Sequence, residues 1–350
     1  MPNLTQSAKI AKNIAKITIP AAIIAILVIV IYLQYSTPHN APINQLPAPK
    51  PPIIYQEPGQ KQPQLIDVSQ IQLPQIPNEL PAYQVKTYPL ADKDYADIAS
   101  TLGVNTPPSL TEEQTIYGKQ VNWKQDNSTL TINQYNLRYE NQIPNQTGTN
   151  LSEDQIKQKG DDFMKKLSAV GDNLIIRKVN YLKNPNQSSK SNDSYFQSAA
   201  SFDESQTLEI VYDKKLSNYP LYAGNSNNSY AILRITKDGT IIYFASKIFQ
   251  SFTPSNSYKL KSTKDAINQI QNHQGKVVQT QIPDQNGQIL ELFRTQPQSI
   301  NVTNIKSLTI AYLLPTDITQ PIQPVFVAGG EFKNSNNDVG EVTIYLPAFQ

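Results

Sequence analysis

The run from Ile17 to Leu33 contains no charged residue and only one proline, Pro20. At about 1.5 Å of rise per residue, a helix of this length covers most of a hydrocarbon core roughly 30 Å thick. Pro20 falls in the first turns, where few amide donors are needed. A membrane-spanning helix is therefore expected from Ile17 to Tyr35, with the lipid bilayer as its partner. Lys9, Lys12 and Lys16 precede it, and no acidic residue appears before Glu57. The positive-inside rule then keeps residues 1–16 in the cytoplasm and places everything after Tyr35 outside the cytoplasmic membrane. A cleaved signal peptide is the competing reading, but Gln34 to Pro42 offers no small-x-small cleavage pair.

The chain contains no cysteine. That excludes a lipidated cysteine, disulfides, thiolate nucleophiles and cysteine metal sites, so the folded part must be held by its own core. A net charge of +2, with both signs interspersed, gives no basic stripe for nucleic acid. Asn-x-Ser/Thr triplets at Asn127, Asn145, Asn186, Asn192, Asn227 and Asn301 matter only in a eukaryotic secretory pathway.

Residues 36–81 are rich in Pro, Gln and Ile, with prolines from Pro38 to Pro81. Proline removes a donor and biases its predecessor toward extended backbone, so this segment reads as a linker able to hold a domain up to about 100 Å from the bilayer. Beyond it, 82–200 and 201–350 read as two α+β units, with one continuous domain from residue 82 as the alternative. Alternation predicts strands at 82–88, 120–124, 129–133, 173–181, 207–212, 230–235, 240–244, 276–279, 288–293, 307–313, 324–329 and 341–346. Three helices are expected. The first is capped by Asp92 and closed by Gly103, the second carries a Ser152/Gln155 capping box, and the third starts after Ser262. Lys237-Asp238-Gly239 marks a hairpin turn. The fold class expected is α+β, with antiparallel sheets each packed by a helix, in helix-plus-meander units of cystatin-like type.

Reactive groups are sparse. His39 lies in the linker, and His273 stands at the polar end of the third helix with no Gly-x-Ser-x-Gly elbow to serve it. No HExxH, P-loop or GxGxxG motif occurs. The acidic pairs Glu112-Glu113, Asp161-Asp162 and Asp203-Glu204 are sequence neighbours, which point apart on a helix or strand. Asp284-Gln285-Asn286-Gly287 lacks the later ligands of a calcium loop and reads as a turn. No catalytic residue, cofactor site or metal site is assigned, and the chain is not expected to be an enzyme. Trp123 reads as core. The tyrosines of the central region suit half-buried sheet positions, and Asn218 to Tyr222 reads as an exposed turn. Tyr219, Pro220 and Tyr222 are accordingly the candidate partner-binding residues.

Three segments carry a resemblance: Ile232 to Ile241 with its Asp238-Gly239 turn, Tyr258 to Ala266 with the Ser262 cap, and Tyr312 with Pro324 to Val327. Together they resemble PepSY-like domains and the YycH and YycI membrane-anchored regulators of bacterial sensor kinases. That resemblance implies one anchor and a non-enzymatic extracytoplasmic domain in a bacterial cell envelope. The expected function is binding or regulation through an unidentified envelope or membrane protein, of unknown oligomeric state. An assembly scaffold of an envelope or secretion complex and a carboxylate-dependent cell-wall glycan hydrolase are the alternatives.

Overall fold

A computed structural model describes residues 50–54, 56, 59–71, 74–86, 91–105, 107, 109–115, 118–133, 135–142, 149–167, 174–184, 196–223, 229–248, 251–283, 299–315, 317 and 319–350. The tail, the expected spanning helix and residues 36–49 lie outside the described residues, as do the expected strand 288–293 and Asp284 to Gly287. Among the described residues, no helix is long and apolar enough to cross a membrane.

Seventeen strands and three helices are described. In chain order they are β1 (Leu65–Asp67), β2 (Glu79–Lys86), α1 (Asp92–Thr101), β3 (Ser109–Thr115), β4 (Gly118–Gln125), β5 (Ser128–Asn133), β6 (Asn136–Asn141), α2 (Glu153–Lys166), β7 (Leu174–Lys183), β8 (Gln197–Ser198), β9 (Thr207–Leu216), β10 (Tyr219–Ala223), β11 (Ala231–Thr236), β12 (Ile241–Lys247), β13 (Ser251–Lys259), α3 (Thr263–Gln271), β14 (Lys276–Gln281), β15 (Ile300–Leu314), β16 (Gln323–Asn334) and β17 (Val339–Pro347).

The expected α+β class, with separate antiparallel sheets each packed by a helix, is overturned. Strand dominates, and fifteen strands join one mixed sheet in the order β14-β17-β16-β15-β10-β9-β11-β12-β6-β5-β4-β3, with β1 on β15, β7 on β9 and β8 on β7. β2 and β13 form a separate ribbon. The reason lies in sheet edges. A meander that ends on a bare strand leaves a row of unpaired backbone groups, and here the meanders satisfy one another. β12 closes onto β6, and β10 runs antiparallel to β9 but parallel to β15, at Leu221–Ala223 against Tyr312–Leu314. Residues 49–350 make one compact unit, and the β7–β9 pairing crosses residue 200.

The local signals at Ser152, Ser262 and Asp238-Gly239 are realised, whereas Asp92 does not cap α1: the N-cap is Ala91, whose N–H donates to Asp94 Oδ2 at 2.8 Å. Ser152 Oγ accepts from Gln155 N at 3.3 Å while Gln155 Oε1 accepts from Ser152 N at 2.8 Å, closing the capping box of α2. Replacing Ser152 by alanine is expected to lower stability by about 1 kcal/mol in urea unfolding, with the transition slope unchanged. Ile156, Gly160, Phe163 and Met164 are the buried face of α2, and Phe163 meets Phe244 edge-on at 5.2 Å. Ser262 Oγ accepts from Asp265 N at 3.1 Å and starts α3. Gly103 follows α1 with φ +75° and Gly239 closes the β11–β12 turn with φ +87°, both left-handed positions that glycine tolerates.

These helices cover one face of the sheet. α1 and α2 bury Tyr95, Ile98, Ile156 and Phe163 with Leu208, Ile210, Leu233, Phe244 and Trp123. α3 buries Ala266 and Ile270 with Phe326, Phe332, Ile305 and Ile344. Strand alternation sends the intervening residues to the opposite, back face.

Candidate functional site

The back face carries charges where the strands themselves are otherwise apolar. Register places Asn180 of β7 opposite Glu209 of β9, Glu209 opposite Arg234 of β11, Arg234 opposite Tyr243 of β12, and Tyr243 opposite Glu140 of β6. One straight row therefore crosses five strands.

Its centre is buried: Glu209 is 0% exposed, Asn180 1% and Arg234 6%. Arg234 donates from Nε at 3.0 Å and Nη2 at 2.8 Å to Glu209 Oε2, while Asn180 Nδ2 donates to Glu209 Oε1 at 2.9 Å. Both carboxylate oxygens are thus engaged, the condition under which a buried ion pair is tolerated. The side-chain oxygen Oδ1 of Asn180 is buried and has no partner among the described residues, which leaves one acceptor for a water or an incoming donor.

Aromatic rings hold the guanidinium flat. Phe196 lies 4.2 Å from it and Tyr243 5.4 Å. Tyr243 is shared, because Arg138 of β6 lies 5.9 Å from the same ring and pairs in turn with Glu140. Cation–π contacts of this kind gain strength as water is excluded. Burial pushes the Tyr243 hydroxyl above the usual phenol range, against the two arginines that favour its ionised form. The ladder ends in solvent, since the Arg138 side chain is 63% exposed.

A second acid on β9 repeats the motif. Asp213, 3% exposed, lies 3.5 Å from Arg177 at the bulge of β7. Tyr222 of β10 stands beside this pair, and its hydroxyl is raised chiefly by burial and next by the Asp213 charge.

Of the sequence candidates, Tyr222 lies on this face, stacked on Tyr345 at 6.2 Å with ring planes 13° apart. Tyr219 points to the helix side and meets Tyr312 edge-on at 6.4 Å. Pro220 is half-buried between them. The three form a strand inside the sheet and not an exposed turn; the turn is Ser217-Asn218, with φ +45° and +72°. Trp123 is buried in the core at 4% exposure. Asp161 accepts from Tyr212 Oη at 3.2 Å, Asp162 accepts from Gln158, and Glu204 pairs with Lys183, so these carboxylates are engaged at separate places. The side chains of Glu112 and Glu113 lie outside the described residues, and His273 is exposed just after α3.

Sequence reasoning passed over Glu209, Arg234, Asn180, Asp213 and Arg177. A signal existed: Glu209 and Arg234 are isolated charges in the apolar runs Leu208 to Tyr212 and Ile232 to Ile235. A groove of about 430 Å³ beside α2, lined by Gln155, Gln158, Lys159, Asp162 and Phe163, is a weaker candidate. Its amides already cap Ser152 and bind Asp162.

No protein-family model and no curated protein matches the chain. Among solved structures, the crystal structure of an uncharacterized protein from Eubacterium rectale aligns over 80% of this chain and 85% of its own, at 9% identity and a TM-score of 0.43. At that level the likeness carries no functional argument.

Proposed function

We propose that this chain is a single-pass, membrane-anchored binding protein whose extracytoplasmic domain holds a protein partner against the back face of its sheet. The uncharged run Ile17 to Leu33 and the lysines before it support the anchor. The observation that carries the binding reading is the Tyr243 ring caught between Arg234 and Arg138, with its outer arginine open to solvent. Tyrosine and arginine are the residues that concentrate affinity at protein interfaces, and here both are pre-ordered by packing before a partner arrives. Tyr222 and Arg177 extend the same surface toward β15.

Proximity labelling from the C-terminus of the full-length protein in living cells tests this. Arg138→Glu is expected to reduce recovery of the principal envelope neighbour about tenfold, the loss of roughly 1.4 kcal/mol at a contact residue. An unchanged neighbour set with Arg138→Glu would reject the surface, and labelling confined to cytoplasmic proteins would reject the anchor's orientation.

A further inference from the structure

Residues 50–67 belong to the stretch whose composition reads as a spacer, yet those of them that are described, 50–54, 56 and 59–67, are wound onto the sheet. The carbonyl of Lys50 accepts from Nε2 of the buried Gln323 at 2.7 Å. Pro52 is buried, and Ile54 packs on the apolar back-face patch of Val278, Ala311, Leu313, Val325, Val327 and Tyr345. Gln60 Oε1 then accepts from Thr280 Oγ1 at 2.8 Å, and Gln62 Nε2 donates to the carbonyl of Gly275 at 3.1 Å, both at the β14 border of the sheet. Gln64 N donates to Ile300 O at 3.3 Å, and β1 finally lies parallel on β15 at Val302–Asn304, sending Ile66 under α3.

These attachments come one after another along the chain and end in the three-residue β1–β15 ladder. β16, by contrast, is paired along almost its whole length on both sides. A segment whose contacts are few and strung out in order opens at lower free energy than the sheet it rests on. Ile53 at 68% and Leu65 at 58% exposure show how lightly it is covered.

We propose that the described residues 50–54, 56 and 59–67 form a releasable strap, which peels from Lys50 toward β1 off a folded sheet and uncovers the apolar patch around Val325 and Tyr345. Its use rests on the anchored reading above. Only residues 36–49 then separate the strap from the spanning helix, a reach of about 43 Å if fully extended as polyproline. Tension between membrane and bound partner enters at Lys50 and loads the Gln323, Thr280, Gly275 and Ile300 contacts in succession instead of together.

Hydrogen exchange on the full-length protein in detergent measures strap release whether or not the anchor reading holds. Amides of residues 64–67 are expected to exchange about a hundredfold faster than those of 325–332, and still far slower than in an unfolded peptide. The chain has no cysteine, so Leu65→Cys with Val302→Cys, cross-strand neighbours in the β1–β15 pairing, gives one unambiguous disulfide. Oxidation is expected to abolish the fast exchange and reduction to restore it. Equal exchange in strap and β16 overturns the proposal, as does free-peptide exchange of 64–67 or fast exchange that survives the disulfide. Ile54→Asp provides a second route that needs no cross-link. It should speed tryptic cutting at the exposed Lys61 about tenfold while leaving 79–350 intact, and unchanged cutting counts against the strap.

Discussion

Replacing Glu209 by alanine is expected to destabilise the domain by about 3–5 kcal/mol, the cost of leaving one member of a buried ion pair without its counter-charge. Arg234 cannot escape to water when the carboxylate goes. It sits on a central strand between β9 and β12, with the rings of Phe196 and Tyr243 4.2 Å and 5.4 Å from its guanidinium. Asn180 also loses the acceptor of its amide. Trp123 is the chain's only tryptophan and is buried on the same large sheet, so its fluorescence in urea reports the unfolding of residues 49–350 directly. The double substitution Glu209→Leu with Arg234→Met separates two meanings of this pair. If the pair serves stability alone, the double variant should recover most of the loss, because apolar residues of similar volume replace buried ion pairs at little or no cost. Recovery of stability together with loss of the labelled neighbour would assign the pair to recognition. A Glu209→Ala loss below about 1 kcal/mol would show that the row is hydrated and behaves as a surface ion pair.

Local devices in this protein were legible because their causes are local. Ser152 with Gln155, Ser262 with Asp265, and Asp238-Gly239 each act within four residues, and each forms where the sequence places it. Class failed because it depends on which edges meet. Nothing in Asn136 to Asn141 states that it will pair with Tyr243 to Lys247, more than a hundred residues away. β10 misled for a related reason. Asn218 and Pro220 are turn formers, yet the turn is spent on Ser217-Asn218 and the tyrosines after it enter the sheet, with Pro220 in the first residues of the strand as proline prefers. The strap was hidden by composition. Proline does bar helix and ladder, but glutamine side chains and a few carbonyls still bind it to Gly275, Thr280 and Gln323, contacts separated by more than two hundred residues. The charged row was half visible. A single charge inside a strand that is apolar on both faces demands a partner, although sequence alone does not name it.

Gly330→Ala should cost about 3 kcal/mol, at the upper end for overpacking. A Cβ on Gly330 would run into the carbonyl oxygen of Asn304 and lie 2.9 Å from the Cα of Ile305, so what it meets is backbone, with no flexible side chain to swing aside. The contact exists because β15 bulges between Ile305 and Ser307, opposite Gly330 and Gly329, and the bulged chain presses onto β16 where those two residues lack side chains. Relief requires moving β15 against β16, the pairing that carries Phe326 and Phe332 into the core under α3. Gly103→Ala is the matched control. Its added Cβ meets nothing within 4 Å, and the whole penalty is the left-handed backbone at φ +75°, about 1–2 kcal/mol. The two glycines therefore separate steric contact from backbone conformation as causes. Gly330→Ala should also lower the protection of amides along 300–310 and 328–334, while Gly103→Ala should affect α1 alone. Equal losses for the two variants, or a Gly330→Ala chain with unaltered exchange in β15, would mean that the bulge yields without cost and that the close approach does not hold the two longest strands in register.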